Sequence, residues 1–153
     1  MRTEMKLSVS GLVLRNSEVL LVRHTYGPAK GKLVIPGGHV EEAELPAQTV
    51  RREVLEVTQV QAAAERLLAV RFRPADWWVI FALHHVSGTP AADNREIDLA
   101  LFLGIQDAID HPDITDTTRY LLERYISSDA RLFSPCDFRP ALHSGEQWIL
   151  YAP

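Results

Sequence analysis

Residues 38–60 read GHVEEAELPAQTVRREVLEVTQV and combine a glycine-containing turn with a helical pattern. From Glu44 onward, apolar residues recur at spacings of three and four, as the residues of one helix face do. Pro46 stands where a first helical turn tolerates proline, and the acidic residues just before it suit the positive end of the helix dipole. The stretch therefore predicts an amphipathic helix from about Leu45 to Val57.

The sequence before this helix predicts strands. Leu7 to Leu14 and Glu18 to Val22 are rich in valine and leucine, and the short polar turn at residues 15–17 separates them. This pattern is typical of a hairpin of two antiparallel strands. Leu33 to Ile35 predicts a short buried strand, which the Pro-Gly-Gly sequence of residues 36–38 ends in a sharp turn.

The sequence after the helix predicts three more strands and a second helix. The apolar stretches Leu67 to Phe72, Trp77 to Val86 and Ile97 to Phe102 have the composition of strands in a mixed sheet. Helical spacing returns from Asp116 to Ser127, and Thr115 or Asp116 is suited to cap that helix.

The last part of the chain leaves several interpretations open. Residues 129–153 contain prolines and a strand-like segment, Gln147 to Tyr151. Three arrangements are open for them: an extra strand on the domain, a contact with a neighbouring subunit, or a poorly ordered tail.

The bulk composition restricts the class of protein. The 153 residues show no repeat or linker, so we expect a single domain over residues 1–153, with residues 129–153 as a C-terminal extension. A formal net charge of -4 disfavours binding to duplex nucleic acid or to a membrane surface. No apolar run is long enough to span a bilayer, and the single cysteine excludes an intramolecular disulfide. We therefore predict a cytoplasmic protein.

Two glutamates on the predicted helix are candidates for chemistry. Glu53 and Glu56 lie three residues apart, which separates their side chains by about 60° around the helix axis. Close carboxylates repel each other unless a cation or a proton lies between them, so the pair suits Mg²⁺ or Mn²⁺ when substrate phosphates complete the shell. Arg52 is placed to orient a carboxylate, and Glu44 to contribute from the helix entrance. The alternative is an ordinary solvated helix face.

The spacing of these residues resembles the Nudix box. That pattern is Gly, five residues, Glu, seven residues, Arg-Glu-apolar, one residue and Glu, represented here by Gly38, Glu44, Arg52, Glu53, Val54 and Glu56. The Pro-Gly-Gly turn before the box also resembles the family, and the likeness extends over about Leu7 to Ser127. It implies an α/β/α sandwich around a mixed β-sheet and hydrolysis of a nucleoside diphosphate linked to another group.

Two residues depart from the Nudix pattern. Val57 stands where the family has the second glutamate of a Glu-Glu pair, and its loss should weaken metal binding because valine offers no oxygen donor. Glu96 or Asp98 is placed to supply the missing carboxylate. Gln59 stands where the family has glycine, so we expect the helix to end differently or to run slightly longer.

The resemblance assigns roles to the box residues. It implies that Glu53, Glu56 and Arg52 are catalytic, with Glu53, Glu56 and Glu96 as ligands of Mg²⁺ or Mn²⁺. One of the glutamates would orient the attacking water. The Gly37 and Gly38 backbone would approach the metal closely, where a Cβ would obstruct it.

Substrate contacts are predicted outside the box. Arg23 begins a basic loop, also containing His24, Lys30 and Lys32, which is either a phosphate-binding or a solvated loop. Trp77 and Trp78 point to opposite faces of a strand, so one is core and the other is free to stack on a nucleobase, for which we select Trp77.

Two functions remain open from the sequence. The leading hypothesis is a metal-dependent hydrolase of a small nucleotide-type substrate, with activity reduced by Val57. The alternative is a non-catalytic Nudix-like domain that binds a nucleotide or a protein partner. Self-association as a homodimer is left open.

Overall fold

The computed structural model describes residues 2–138, 141, 147 and 149–153. The strands are β1 (Lys6–Arg15), β2 (Glu18–His24), β3 (Leu33–Val34), β4 (Gly37–His39), β5 (Gln61–Arg73), β6 (Asp76–Ser87), β7 (Ile97–Gly104), β8 (Ser134–Pro135) and β9 (Tyr151–Ala152). The helices are α1 (Pro46–Thr58), α2 (Ile105–Ile109) and α3 (Asp116–Ile126). The predicted hairpin and both predicted helices are confirmed, with ends that differ by a few residues.

Three features of the secondary structure were not predicted. Residues 37–39 form β4, although proline and glycine indicated only a turn there. The short helix α2 follows β7 directly. Strand β5 begins at Gln61, before its predicted start at Leu67. Its first half is irregular, because Ala64 has a φ of 61° and the register shifts beside it, and this irregularity hides the alternation that marks a strand.

Strands β1 and β2 pair only beside their connecting turn. The paired residues are Leu14 with Val19 and Arg15 with Glu18. Beyond them the two strands separate, and the segment 33–39 pairs with both: β3 is antiparallel to β2, and β4 is antiparallel to β1. The Pro-Gly-Gly sequence therefore lies within the sheet, where it brings the start of α1 close to β1.

The remaining strands complete a mixed sheet. β6 is parallel to β1, β5 is antiparallel to β6, and β7 is antiparallel to β2. The mixed character that the sequence predicted is confirmed.

Alternating residues of β1 divide the core between the two faces of the sheet. Val9 and Val13 belong to an apolar cluster with Val50 and Val54 of α1. Leu12 and Leu14 belong to the cluster that packs on the other face, with the buried residues Ala108 and Ile109 of α2 and Leu121 and Leu122 of α3. Because successive strand residues point to opposite faces, one sheet buries a helical layer on each side. The α/β/α sandwich is confirmed.

A glutamine residue lies at each end of α1. At the first end, the side-chain oxygen of Gln48 accepts a 2.8 Å hydrogen bond from the Leu45 backbone N–H. At the other end, Gln59 has φ 63° and ψ 13°, and its N–H donates to the Leu55 carbonyl. The expectation that the helix would end differently without glycine is therefore wrong, because Gln59 itself adopts the left-handed conformation that glycine takes most easily.

The described parts of the C-terminal extension pack on the domain. Phe133 exchanges two backbone hydrogen bonds with Leu67 of β5, and β8 pairs with β9. The ring of Tyr151 lies 5.7 Å from the ring of Phe81. The segment predicted as strand-like was Gln147 to Tyr151. Residue 148 lies outside the described residues, and β9 begins at the last residue of that segment. The one-domain interpretation stays a prediction.

No helix in the described part of the chain combines the length and the apolar character needed to cross a membrane.

Candidate active site

Arg52 is the hydrogen-bonding centre of the candidate site. Its Nε and Nη2 donate to the two carboxylate oxygens of Glu44, at 2.8 and 2.9 Å. Its Nη1 donates to Glu53 at 2.9 Å and to Glu56 at 3.2 Å. This guanidinium lowers the pKa of Glu44 to about 2, assisted by the Glu41 backbone N–H. The sequence predicted that Arg52 holds one carboxylate in position. In the structure its guanidinium donates hydrogen bonds to three carboxylates, those of Glu44, Glu53 and Glu56.

Glu53 and Glu56 share a helix face but differ in exposure. The Glu53 side chain is 15% exposed, whereas that of Glu56 is 57% exposed. Burial raises the pKa of Glu53, and the Arg52 guanidinium opposes that rise while the negative charges of Glu56 and Glu96 add to it. A cation beside Glu53 would relieve this electrostatic stress.

Both glycines of the turn occupy positions without room for a side chain. A Cβ on Gly38 would lie 2.5 Å from each carboxylate oxygen of Glu53. A Cβ on Gly37 would collide with the Val9 carbonyl and with Ser10. Real Cβ atoms do not approach other atoms this closely, so glycine at position 38 makes the space that the Glu53 carboxylate fills.

A cleft of about 580 Å³ opens in front of Glu53. Its acidic wall contains Glu41, Glu53 and Glu96, and its opposite end contains Lys6, Arg71, Asp76 and Trp78. The other residues that line it are Ser8, Val9, Ser10, His24, Tyr26, Ile35, Gly37, Gly38 and His39. The cleft therefore offers carboxylates at one end and cationic and aromatic groups at the other.

Val57 faces the core instead of this cleft. Its residue surface is 6% exposed, and it packs in a cluster with Val22 and Ile97. The position that carries a carboxylate in the Nudix pattern is therefore sealed by apolar side chains here. This explains why valine is accommodated, because a glutamate would have to bury a charge among them.

The carboxylates fit a divalent cation that is completed by water and substrate, rather than a closed protein cage. Within the described residues, no three histidine, cysteine, aspartate or glutamate side chains are grouped as a metal site. Glu53 and Glu96 nevertheless line the same cleft. Mg²⁺ is commonly bound by one or two carboxylates together with water and phosphate oxygens. Of the two candidates for the missing carboxylate, Glu96 lies in the cleft, while Asp98 accepts a 2.8 Å hydrogen bond from Arg23.

The two predicted substrate-binding residues lie outside the cleft lining. Arg23 is paired with Asp98, and this pairing raises the pKa of the arginine. Trp77 is 45% exposed and packs edge-on against Phe72 at a ring distance of 5.0 Å. Its neighbour Trp78 is the tryptophan that lines the cleft. The sequence correctly placed the two rings on opposite faces, but only the pairing of β6 with β1 shows which face belongs to the cleft.

The cationic end of the cleft was missed by sequence reasoning. Arg71 lies directly opposite Trp78 in the β5–β6 pair, and Ser8 lies opposite Trp78 in the β1–β6 pair. The Trp78 indole N–H donates a 3.0 Å hydrogen bond to the Ser10 hydroxyl. These residues are far apart in the sequence, so the signal that would have found them is the strand register.

Comparison with known proteins agrees with this architecture. The NUDIX domain family model matches residues 5–125. The chain belongs to the NUDIX family. The model covers both strands of the first hairpin, the box, the cleft-lining strands and nearly all of α3, so the resemblance seen in the box extends over the whole sandwich.

Individual relatives are similar over different shares of their length. The ADP-ribose pyrophosphatase of Methanocaldococcus jannaschii is 32% identical over 68 residues, which are 44% of this chain and 40% of that protein. The chain thus matches about two-fifths of the length of this curated relative. The fold of the present chain resembles the crystal structure of a NUDIX hydrolase from Nitrosomonas europaea, with a TM-score of 0.71 and 25% identity. The match covers 82% of this chain and 72% of that protein. An ADP-ribose pyrophosphatase from Streptococcus suis has the same fold, with a TM-score of 0.64, 21% identity and coverage of 82% and 96%.

Proposed function

We propose that this NUDIX protein is a divalent-metal-dependent hydrolase that cleaves the pyrophosphate bond of a nucleoside diphosphate linked to another group. The observation that carries the proposal is the position of the Glu53 carboxylate. It is held by Arg52, fills the space above Gly38 and faces a cleft whose far end is cationic and aromatic. An acidic wall that faces a cationic end suits a substrate with a metal-bound diphosphate and an attached organic group.

The residues proposed to hold Mg²⁺ or Mn²⁺ are Glu53 and Glu96, which line the cleft, together with Glu56, whose exposed side chain lies outside the lining and would have to turn towards them. When bound, such an ion would neutralise charge on the diphosphate and lower the pKa of a bound water. Arg52 keeps the Glu53 and Glu56 carboxylates together on the helix face, and Glu44 fixes Arg52 through two hydrogen bonds. Glu41 also lines the cleft, with its carboxylate 3.7 Å from the Arg52 guanidinium, and we propose that it orients the attacking water.

The alternative function is a domain that binds a nucleotide or a protein without hydrolysis. Two observations favour it: Val57 is buried where the family pattern has a carboxylate, and the described residues contain no grouped set of three metal-binding side chains. The same cleft would then bind its ligand through the cationic end alone. Turnover separates the two functions, because only the hydrolase requires the acidic wall.

The decisive experiment is a screen of pyrophosphate-containing nucleotides with Mg²⁺ and Mn²⁺. The substrates would include nucleoside triphosphates, dinucleoside polyphosphates, sugar nucleotides and coenzymes. Chromatographic detection of the nucleoside phosphate product is the readout, because cleavage of the pyrophosphate bond leaves phosphomonoesters or pyrophosphate and no inorganic phosphate. We expect turnover by the wild type and loss of most of it in Glu53→Gln. The matched control is Glu123→Gln, which changes an exposed glutamate on α3 and should retain full turnover. Wild-type turnover in Glu53→Gln, or no turnover by the wild type with any substrate, would reject the proposal.

The partner and the location of this activity are further proposals. We propose a small nucleotide-type molecule as the partner, supported by the size of the cleft, and a cytoplasmic location. Homodimer formation stays a prediction, which the sedimentation of the purified protein would test.

A further inference from the structure

The cationic end of the cleft is built by three neighbouring strands in register. Ser8 of β1 lies opposite Trp78 of β6, which lies opposite Arg71 of β5. Two residues earlier on β1, Lys6 lies opposite Asp76. Because residues two apart on a strand share a face, these side chains form two adjacent rows on one sheet surface. All five line the cleft.

Trp78 packs partly against an apolar core cluster and also lines this part of the cleft, so part of its indole surface faces the cleft. Its indole N–H is already bonded to the Ser10 hydroxyl at 3.0 Å. The Arg71 guanidinium carbon lies 5.8 Å from the ring centroid of Trp78. A ring whose polar group is already bonded is suited to stacking on another planar group, and nucleobases stack on aromatic side chains with little dependence on base identity.

Two cationic side chains near Trp78, Arg71 and Lys6, retain donor groups that the described residues do not use. Arg71 donates from Nη2 to Asp76 at 3.1 Å, while its buried Nε has no acceptor among the described residues. The other oxygen of Asp76 accepts from Arg73 at 2.5 Å, so each oxygen of this carboxylate accepts one hydrogen bond from an arginine. No ion pair to Lys6 is formed within the part of the chain that the structure describes, and the cleft lining there contains no asparagine or glutamine.

We propose that Trp78, Arg71 and Lys6 form a nucleobase subsite that selects bases with a carbonyl at position 6, such as hypoxanthine and guanine, over adenine. Arginine and lysine donate to the O6 and N7 acceptors of a 6-keto purine. Adenine presents an amino group at position 6, which would face a donor and leave both groups without an acceptor. The proposal rests on the proposed function, because it assumes that the group bound at this end of the cleft is a nucleotide.

The test compares the binding of IMP and AMP, whose bases differ in the substituent at position 6 and in the proton that hypoxanthine carries on N1. Titration calorimetry with and without Mg²⁺ should show IMP binding about tenfold more tightly than AMP under both conditions, within the discrimination that one good arginine–base contact provides. Arg71→Gln should reduce this preference to less than about twofold, because an amide both donates and accepts. Arg66→Gln is the control on the same strand, since Arg66 lies outside the cleft lining, and it should retain the preference.

The stacking surface is tested separately from the selectivity. Trp78→Leu should weaken the binding of both nucleotides by about tenfold and leave their ratio intact. Trp77→Leu is the matched control, because Trp77 faces away from the cleft and should leave both affinities unchanged. If Trp78→Leu fails to fold in a thermal melt, Trp78→Phe retains a ring and should keep most of the affinity for both nucleotides.

The outcomes separate this inference from the proposed function. Equal affinity for IMP and AMP, no binding of either, or an unchanged preference in Arg71→Gln would overturn the subsite. Equal kcat/KM for inosine and adenosine diphosphate compounds would overturn it while leaving the hydrolase proposal intact. Selective binding of IMP without hydrolysis of any pyrophosphate compound would support the subsite and reject the hydrolase.

Discussion

The Glu53 carboxylate occupies the space where a side chain at Gly38 would begin, with each oxygen 2.5 Å from the position of the absent Cβ. These residues belong to α1 and β4, so the contact fixes how the helix and the sheet meet. Glycine at this turn therefore sets the position of the Glu53 carboxylate directly, in addition to allowing the chain to bend.

Gly38→Ala should displace the Glu53 carboxylate and lower turnover by about 100-fold, the effect expected of a misplacement of about 1 Å in an active site. The control is Gly104→Ala, where the new Cβ would lie 3.1 Å from the flexible Asp107 carboxylate. Steady-state kinetics on both variants, with a thermal melt for each, checks the prediction. Full activity in a folded Gly38→Ala protein would show that the position of Glu53 is not critical.

Glu53→Gln should be at least as stable as the wild type at neutral pH, although it loses activity. Burial raises the pKa of Glu53, so its charged form lowers the free energy of unfolding as the pH rises through that pKa. Glutamine removes this unfavourable charge while keeping an oxygen to accept from Arg52. Urea unfolding at pH 5 and pH 8 would test this, with the advantage of the variant larger at pH 8. A variant that is clearly less stable at pH 8 would contradict it.

Glu44 should stabilise the fold with the opposite pH dependence. Arg52 lowers its pKa from 4.5 to about 2, so the stabilisation is complete above pH 4.5 and is lost as the pH falls towards 2. Glu44→Gln cannot titrate and should therefore be less stable than the wild type at pH 6, with a difference that shrinks as the pH falls from 4.5 to 2. Chemical denaturation across this range measures it. A difference that does not change with pH would show that the Arg52 contact does not depend on charge.

Val57→Glu should destabilise the protein without creating a better metal site. Position 57 is packed against Val22 and Ile97, and a carboxylate there would have to be buried or neutralised, at a cost of about 2–4 kcal/mol. The Nudix pattern has a carboxylate at this position, so the change restores the pattern, but the packing of Val57 keeps the new side chain away from the cleft. Calorimetric titration with Mn²⁺ and a thermal melt decide the question. Tighter metal binding in a stably folded variant would contradict this prediction.

Gln59→Gly should raise the free energy of unfolding by about 1 kcal/mol. Gln59 is held at φ 63°, a region that is unfavourable for a residue with a Cβ and easily reached by glycine. Part of this gain is offset by the greater freedom of glycine in the unfolded chain. Thermal and urea unfolding provide the measurement. A loss of stability would mean that the glutamine side chain makes a contribution larger than the backbone strain.

The sequence predicted the parts of this protein that depend on local patterns. The helix that carries Glu53 and Glu56 was evident from its apolar periodicity, and Arg52 from its spacing within the box. The paired opening strands were similarly evident, because a polar turn separates two runs of valine and leucine. These features are short in sequence and need no knowledge of what they contact.

The parts that the sequence missed depend on contacts between distant residues. Trp78 instead of Trp77 lines the cleft because of the register between β1 and β6, which no local pattern reveals. Arg71 reaches the same site only through the β5–β6 pair. The burial of Val57 depends in the same way on Val22 and Ile97, which come from two other strands.

The packing of Tyr151 against Phe81 also has a consequence for the protein while it is being synthesised. Phe81 belongs to the apolar cluster under α1, and Tyr151 covers part of that cluster from the C-terminal extension. On a ribosome, the sheet and α1 emerge well before residue 151, since synthesis proceeds from the N-terminus. During that interval the nascent domain presents an uncovered apolar surface, which is covered only after residue 151 has left the ribosome.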